Sequence, residues 1–285
     1  MSSELPKISI ITPSLNQGAF LMDNLLSVKA QEGVMVEQIL MDGGSSDNSL
    51  ELIQTYGDHL TYWQSERDGG QTNALIRGFE RATGNIFGWL NADDYLWDKQ
   101  ALYCVAEAFR DHPEADMVTG DLVFVNEEGR PIMIDMVYRP TGFQMRYYMA
   151  IPQQSTFWRR TAYERVGGLN PKFQFCMDFD LFQRMSEKGK ILRIPHFLAT
   201  FRLHRAAKTH TMDDIFRKEL EKCLLRSTGR KSPGFLGKLL NLWIRTGSLL
   251  AETEAIVSGR KLPSYLNARI EPMRYYVRKK WGLNR

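Results

Sequence analysis

Short apolar runs alternate with amphipathic stretches along the first ninety residues of the chain. Runs of strand length occur at Lys7–Thr12, Val36–Met41, Leu60–Gln64 and Ile86–Leu90. The stretches between them carry apolar residues at roughly helical spacing, at Phe20–Gln31, Leu50–Tyr56 and Gln71–Thr83. This βαβαβαβ alternation predicts an α/β fold, with a mostly parallel sheet flanked by helices on both faces.

The pattern continues less regularly to about residue 205. Its further predicted helices are Ala101–Phe109, Thr161–Val166 and Asp178–Glu187, and its further predicted strands are Asp116–Val125, Gln154–Arg159 and Ile191–Arg202. The pattern from Ile132 to Tyr148 is mixed and indicates no single type of element. Because the strands stop near residue 205, we divide the chain into a main domain at 1–205 and a helical appendage at 206–285.

Polar side chains follow each of the first four predicted strands. The four loops are Thr12-Pro-Ser-Leu-Asn16, Asp42-Gly-Gly-Ser-Ser-Asp47, Glu66-Arg-Asp-Gly-Gly-Gln71 and Asn91-Ala-Asp-Asp94. In a parallel sheet the carboxyl ends of the strands meet at one edge, where open α/β folds bind ligands. No GxGxxG follows the first strand and the chain has no GxxxxGK[ST], so a nucleotide's phosphates would rely mainly on a metal.

Two adjacent acidic residues, Asp93 and Asp94, come directly after the fourth strand. Adjacent carboxylates repel each other unless a cation or hydrogen-bond donors balance their charge. Carboxylate oxygens suit Mg²⁺ or Mn²⁺, which proteins commonly share with substrate phosphates. The alternative is a polar turn that leads into the helix beginning near Gln100.

As an ordered set, these motifs resemble those of family 2 glycosyltransferases with the GT-A fold. The matching segments are Ile8–Asn16, Gln38–Ser49, Gly70–Phe79, Ala82–Ile86 and Trp89–Asp94. The resemblance spans about residues 7–205 and implies that the main domain is a Rossmann-like catalytic domain. It also implies an inverting transfer of sugar from a nucleotide-diphosphate sugar to an acceptor hydroxyl, in the synthesis of a cell-surface polysaccharide or other glycan.

The resemblance implies roles for the residues at the nucleotide end of the site. Thr12, Pro13 and Ser14 would line the nucleoside pocket, and Asp42 would hydrogen-bond the base. The turn from Asp68 to Gln71 would close over the nucleotide. UDP is the first expectation for that nucleotide.

The resemblance also implies a site for Mg²⁺ or Mn²⁺. Asp94 would bind the metal that bridges the diphosphate, and Asp93 would contact the ribose or the metal. His204 resembles a position near the metal or the diphosphate, although an isolated histidine is as readily a packing residue. Asn91 stands where the family often has Asp, so this position keeps an oxygen ligand but carries no charge here.

The segment Phe175–Leu181 resembles the acceptor-site motif of the family, commonly Glu-Asp-x-Asp, with Met177 in place of the Glu. Asp178 aligns with the general base, and a positioned carboxylate can remove the proton of an attacking hydroxyl. The alternative, compatible with that role, is that Asp178 and Asp180 favour a helix N-terminus. We expect Gln154 and Asp180 to contact the acceptor, a glycan or a lipid-linked molecule.

Charge divides the chain unevenly. Residues 206–285 contain 17 basic and 7 acidic residues, a net charge of +10, whereas residues 1–205 have a net charge of −6. Basic and aromatic residues recur in two stretches, Phe235–Leu250 and Met273–Trp281. Such stretches can bind an anionic membrane surface, or they can pack on the main domain or on a second subunit.

Nucleic acid is a weaker candidate partner, because no recognition motif accompanies the charge. The chain has no apolar run of about 18 residues, and we expect a cytoplasmic protein held peripherally at the inner face of the membrane. Two other functions stay open at this point. A nucleotidyltransferase can use a similar sheet and metal, although its Gly-rich loop with Arg is absent, and a non-catalytic protein could bind nucleotide sugars.

Overall fold

The structure, a computed structural model, describes residues 4–204, 213–243 and 246. Within these residues the strands are β1 (Ile8–Ser14), β2 (Val36–Asp42), β3 (Tyr62–Ser65), β4 (Ile86–Trp89), β5 (Ala115–Val125), β6 (Pro131–Asp135), β7 (Thr156–Arg159) and β8 (Lys190–Arg202). The helices are α1 (Leu21–Lys29), α2 (Ser49–Tyr56), α3 (Gln71–Arg81), α4 (Ala101–Asp111), α5 (Gly142–Met145), α6 (Arg160–Arg165), α7 (Met177–Ser186) and α8 (Asp213–Thr228).

These strands form one sheet in the order β3-β2-β1-β4-β7-β5-β6, with β8 paired to β5. The strands β1 to β4 are parallel neighbours, as the alternating pattern predicts. β7 runs antiparallel to both β4 and β5, whereas β5 and β8 are parallel to each other. The four residues of β7 therefore join the first parallel group to the rest of the sheet.

The sheet is covered on both faces, and β1 shows why. Its side chains point alternately to the two faces, as strand geometry requires. Ile10 packs in one apolar cluster with residues of α4, whereas Ile11 packs in another with residues of α3. Helix α3 lies very close to β1, since a Cβ on Gly78 would be 2.4 Å from Ile11 Cγ2. A side chain at residue 78 would push the helix away from the strand.

The α/β fold predicted from the sequence is confirmed, and the predicted elements before residue 125 agree with the structure within a few residues. The unassigned stretch from 132 to 148 contains the end of β6 and the short helix α5. The antiparallel course of β7 was not predicted, because the irregular pattern after Val125 does not indicate how the strands there connect.

The predicted helical segment after residue 205 begins with α8, and residues 234–243 are also helical. α8 packs against the main body, with Cys223 fully buried in the same apolar cluster as Phe182. No helix within the described residues is long and apolar enough to cross a membrane. The stretch Met273–Trp281 and part of Phe235–Leu250 lie outside the described residues. The boundary near residue 205 stays a prediction.

Candidate active site

A cavity of about 960 Å³ lies where β1 and β4 end. One group of its lining residues follows the parallel strands, at Pro13, Ser14, Asp68–Asn73 and Asn91–Asp93. A second group comes from the later part of the chain, at residues 135–138, 149–154, 173–175 and 177–178. This volume is at the upper end of the range for small-molecule sites.

The two acidic residues after β4 occupy different environments. Asp93 lines the cavity, and its side chain is 20% exposed. Asp94 is only 1% exposed and does not line the cavity, because its Oδ1 accepts a hydrogen bond of 2.9 Å from the backbone N–H of Arg202. The turn therefore directs Asp93 into the cavity and Asp94 into the protein, and the metal contact expected of Asp94 stays a prediction.

Burial raises the pKa of Asp94 well above its usual 3.8, and the neighbouring charge of Asp93 raises it further. Hydrogen bonds from the Arg202 backbone and from the side chains of Asn91 and Gln154 act in the opposite direction. Asp94 is thus held inside the protein, and Asp93 is the carboxylate of the pair that reaches the cavity.

Two residues distant in sequence hold this acidic turn in place. Asn24, fully buried on α1, donates from Nδ2 to the backbone carbonyls of Asn91 and Asp94, at 2.8 and 3.0 Å. The buried Arg202 donates to the carbonyl of Asp93 at 2.9 Å and to the carboxylate of Asp23 at 2.6 Å. The guanidinium of Arg202 is thus engaged within the protein and fixes the backbone of the turn.

Asn91 connects the acidic turn to its surroundings. Its Oδ1 accepts from Gln71 Nε2 at 2.9 Å and from Trp89 Nε1 at 2.7 Å, and its Nδ2 lies 3.4 Å from Asp94 Oδ2. An aspartate at residue 91 would place a further carboxylate beside Asp94. The amide instead supplies a donor there, and its oxygen is occupied by Gln71 and Trp89.

His204 lies directly beside Asp93, and its expected place near the metal or the diphosphate stays a prediction. Its Nε2 is 3.0 Å from Asp93 Oδ2, and its ring lies 4.5 Å from the ring of Phe20. Asp93 faces the cavity, whereas the imidazole beside it is only 1% exposed and does not line the cavity. Within the described residues, no group of three or more His, Cys, Asp or Glu side chains could hold a metal by itself.

The structure brings Pro13, Ser14, Asp68 and Gln71 to the cavity, but not Thr12 or Asp42. Thr12 is fully buried, and its hydroxyl accepts from Gln38 Nε2 at 3.0 Å. The roles expected of Thr12 and Asp42 in the nucleoside pocket stay predictions.

Asp42 is only 2% exposed, and its carboxylate is used by its own loop. It accepts from the backbone N–H groups of Gly44 and Ser45, at 3.1 and 2.9 Å, and from the hydroxyl of Ser65 at 2.7 Å. Asp42 therefore shapes the turn after β2 from inside, where we had expected it to contact a base.

Asp178 and Gln154 line the same cavity as Asp93. Asp178 lies in the first turn of α7, where a carboxylate is favoured by the helix dipole, so the two interpretations of this residue are compatible. Asp180 is fully buried and pairs with Arg184 and with Arg226 of α8. Asp180 does not line the cavity in this structure, and its expected contact with an acceptor stays a prediction.

Three residues that support the site from other elements were not predicted from the sequence: Asn24, Arg202 and Glu219. A polar residue among the apolar positions of α1 is the signal that could have identified Asn24. Arg202 ends β8 two residues before His204, and nothing near it in the sequence indicates the buried contacts that its guanidinium makes.

The family model for glycosyl transferase family 2 matches residues 9–173 of this chain. A similar protein is the PGL/p-HBAD biosynthesis glycosyltransferase of Mycobacterium bovis, which is 27% identical over 263 residues, covering 90% of this chain and 98% of that protein. Among solved structures, S. aureus TarS in complex with UDP-GlcNAc has a TM-score of 0.62 and 14% identity, covering 78% of this chain and 67% of that one.

The mannosyltransferase PcManGT from Pyrobaculum calidifontis, in complex with GDP-Man and Mn²⁺, also has a TM-score of 0.62. It is 17% identical, and the match covers 99% of this chain and 86% of that one. These two structural likenesses support the GT-A fold. Together with the match to the family model over more than half of its length, they lead to one conclusion: this chain belongs to glycosyl transferase family 2.

Proposed function

We propose that this enzyme transfers a sugar, with inversion, from a nucleotide-diphosphate sugar to the hydroxyl of a glycan or lipid-linked acceptor. The observation that carries the proposal is that one cavity is lined by both Asp93 and Asp178. The first residue brings negative charge to the strand-end region, and the second brings a carboxylate from a different part of the chain.

The nucleotide diphosphate would occupy the part of the cavity near Pro13, Ser14, the Asp68–Gln71 turn and Asp93. UDP is our first candidate. The structural relatives that contain UDP-GlcNAc and GDP-Man support a nucleotide sugar as donor without deciding between the bases.

The residues around Asp93 suit a divalent cation. Asp93 and His204 offer a carboxylate and an imidazole next to each other, and phosphate oxygens commonly complete sites for Mg²⁺ or Mn²⁺. A bound cation would offset the charge on the departing diphosphate. The Mn²⁺ in the mannosyltransferase complex supports this choice of metal, with Mg²⁺ as the other candidate.

Asp178 would act as the general base, near Gln154 in the acceptor part of the cavity. As the acceptor oxygen forms its bond to the anomeric carbon, Asp178 takes the hydroxyl proton. The bond from that carbon to the diphosphate breaks on the opposite face, and its electron pair leaves with the diphosphate. A single displacement of this kind inverts the anomeric configuration.

The test is a screen of UDP, GDP, ADP and dTDP for thermal stabilisation of the chain, with Mn²⁺, with Mg²⁺ and with excess chelator. We expect one diphosphate to stabilise the chain only when metal is present. The matching nucleotide sugars are then assayed for turnover, and NMR of the product reports its anomeric configuration. Stabilisation by none of the four would contradict the proposed donor class, and a retained configuration would contradict the single displacement.

We also propose that the enzyme binds the anionic inner face of a membrane peripherally. The observation that favours this is the helical segment 234–243, where Phe235 is 77% exposed, Leu242 60% and Trp243 45%. Basic side chains lie close by in sequence, at Arg230, Lys231 and Lys238, and each can contribute about 1 kcal/mol near an anionic surface. A lipid-linked acceptor would suit such a location.

Co-sedimentation with anionic liposomes tests this proposal, by comparing the full chain with a chain that ends at residue 230. A second variant, Phe235→Ser with Trp243→Ser, keeps the length and charge of the chain. We expect the full chain to sediment at low salt and to be released at high salt, and both variants to sediment less. Equal, low sedimentation of all three proteins would contradict membrane binding, and neutral liposomes serve as the control.

A further inference from the structure

The cavity segment that precedes the proposed base is held by a residue more than forty positions later in the chain. Glu219, on α8, is only 4% exposed. Its carboxylate accepts the backbone N–H groups of Gln174 and Phe175, each at 2.8 Å, and of Cys176 at 2.9 Å. Three consecutive amides thus converge on one buried carboxylate, and charge-assisted bonds of this kind are among the stronger hydrogen bonds.

These amides belong to the segment that leads directly into Asp178. Cys176 is the N-cap of α7, and Asp178 lies two residues further on. Gln174 and Phe175 themselves line the cavity together with Asp178. A shift of the bonded backbone would therefore move both the cavity wall and the proposed base.

A second contact between α8 and α7 lies on the other side of Asp178. Arg226 pairs with the fully buried Asp180 and also donates to Gln183. Glu219, Cys223 and Arg226 are spaced by four and three residues, so they share one face of α8. This face holds the backbone before Asp178 and the helix after it.

We infer that Glu219 is a positioning residue, which holds Asp178 in its place at the cavity through the backbone of residues 174–176. The inference rests on the proposed function, because it assigns Glu219 a part in sugar transfer through Asp178. The nucleotide end of the cavity is formed by the loops after β1, β3 and β4, which Glu219 does not contact through these bonds. Loss of Glu219 should therefore separate nucleotide binding from transfer.

The experiment compares the full chain with its Glu219→Gln variant, which keeps the size of the side chain and removes its charge. Hydrogen exchange measured by mass spectrometry should become faster at the amides of residues 174–176. Binding of UDP with Mn²⁺ should be unchanged. The kcat for the nucleotide sugar found by the diphosphate screen should fall at least about tenfold, since small misplacements of reacting groups are costly.

Two further variants sharpen the result. Glu221→Gln makes the same chemical change two residues along α8, where the side chain makes none of these three bonds, and it should behave like the unmodified chain. Glu219→Asp keeps the charge on a side chain one methylene shorter, and its kcat should lie between those of the unmodified chain and Glu219→Gln.

Three results would overturn the inference: unchanged exchange at residues 174–176, an unchanged kcat, or a parallel loss of UDP binding and transfer, which would indicate a general structural role. Failure of the proposed function would look different. In that case the unmodified chain would turn over no nucleotide sugar, while the exchange measurement would still decide whether Glu219 anchors the segment.

Discussion

The two parts of the sheet build their sides of the cavity in different ways. In the nucleotide half, residues 8–94, most lining residues lie at or just after the ends of parallel strands, and Asn24 and Arg202 fix the acidic turn. In the acceptor half, residues 115–204, strands of both directions meet, and Asp178 depends on contacts made by α8. The first side follows mainly from strand ends, whereas Asp178 on the second side is positioned through an element further along the chain.

The difference between the two sides of the cavity can be tested by substitutions, and the largest effect on transfer is expected at Asp178. Asp178→Asn should lower the rate of transfer by about 10² to 10⁴, the range of general-base contributions, because the amide cannot accept the proton. Calorimetry should give the same affinity for UDP as in the unmodified chain. A native rate of transfer in this variant would remove Asp178 from the reaction.

The next largest effect is expected in the acidic turn, where substitutions of its two carboxylates should weaken UDP binding to different extents. Asp93→Asn should weaken metal-dependent binding of UDP by at least about tenfold, or 1.4 kcal/mol, since it removes the charge that reaches the cavity. Asp94→Asn should have a smaller effect on binding, because Asp94 is buried and does not line the cavity, and an equal effect would support its expected metal contact. Calorimetric titrations with Mn²⁺ and with excess chelator measure both. If the unmodified chain binds UDP equally tightly with Mn²⁺ and with excess chelator, the metal assignment is contradicted.

The third prediction addresses the stability of the nucleotide half. Burial tends to raise the pKa of Glu37, but hydrogen bonds from Lys7, Ser9 and Thr83 outweigh it and lower the pKa from its usual 4.5 to about 2. A pKa lowered by folding stabilises the protein above pH 4.5, and that stabilisation is lost as the pH falls from 4.5 towards 2. The full contribution is about 3 kcal/mol at 1.36 kcal/mol per unit.

Glu37→Gln should accordingly unfold at lower urea concentration at pH 7, and the difference from the unmodified chain should shrink towards pH 2. Transfer should keep its rate in the folded variant, because Glu37 lies at the start of β2 and the cavity lies where the strands end. A difference in urea midpoint that is equal at pH 7 and pH 3 would contradict the role given to the charge.

The smallest effect is expected where the two halves meet. The hydroxyl of Thr72, at the start of α3, donates to the carbonyl of Phe173 at 2.6 Å. Thr72→Val keeps the shape of the side chain and should lower the free energy of unfolding by about 1 kcal/mol. Since Glu219 still holds the segment after Phe173, we expect transfer to fall by less than it does in Glu219→Gln. A larger fall would make Thr72 the main anchor.

The nucleotide half was predictable from the sequence because its signals are local. The apolar run that ends at Thr12 and the acidic residues after Leu90 indicate both the strands and the edge where they end. The sequence does not indicate side-chain orientation, and Thr12 and Asp42 lie at the expected strand ends with buried side chains. A motif gives the position of a residue in the chain, whereas the neighbours in space decide which way its side chain points.

The acceptor half was less predictable because its decisive contacts join distant residues. Asp180 looked like an acceptor contact. Its pair with Arg184 joins residues four apart on α7, whereas its contact with Arg226 forms only in the fold. Glu219 is one of several acidic residues in the basic part of the chain after residue 205. No neighbouring residue in the sequence indicates the three backbone amides that it binds. Long-range hydrogen bonds of this kind leave no periodic signal in the sequence.

The Glu219 anchor has a consequence for the order in which the protein is made. Chains leave the ribosome from the N-terminus at about 5–20 residues per second, and domains generally fold as they appear. The strands of the nucleotide half can pair once β4 has left the ribosome. The segment before Asp178 can form its hydrogen bonds to Glu219 only after α8 has been synthesised. A growing chain that has just passed residue 204 would therefore already have its nucleotide-binding edge but would lack the anchor of its base.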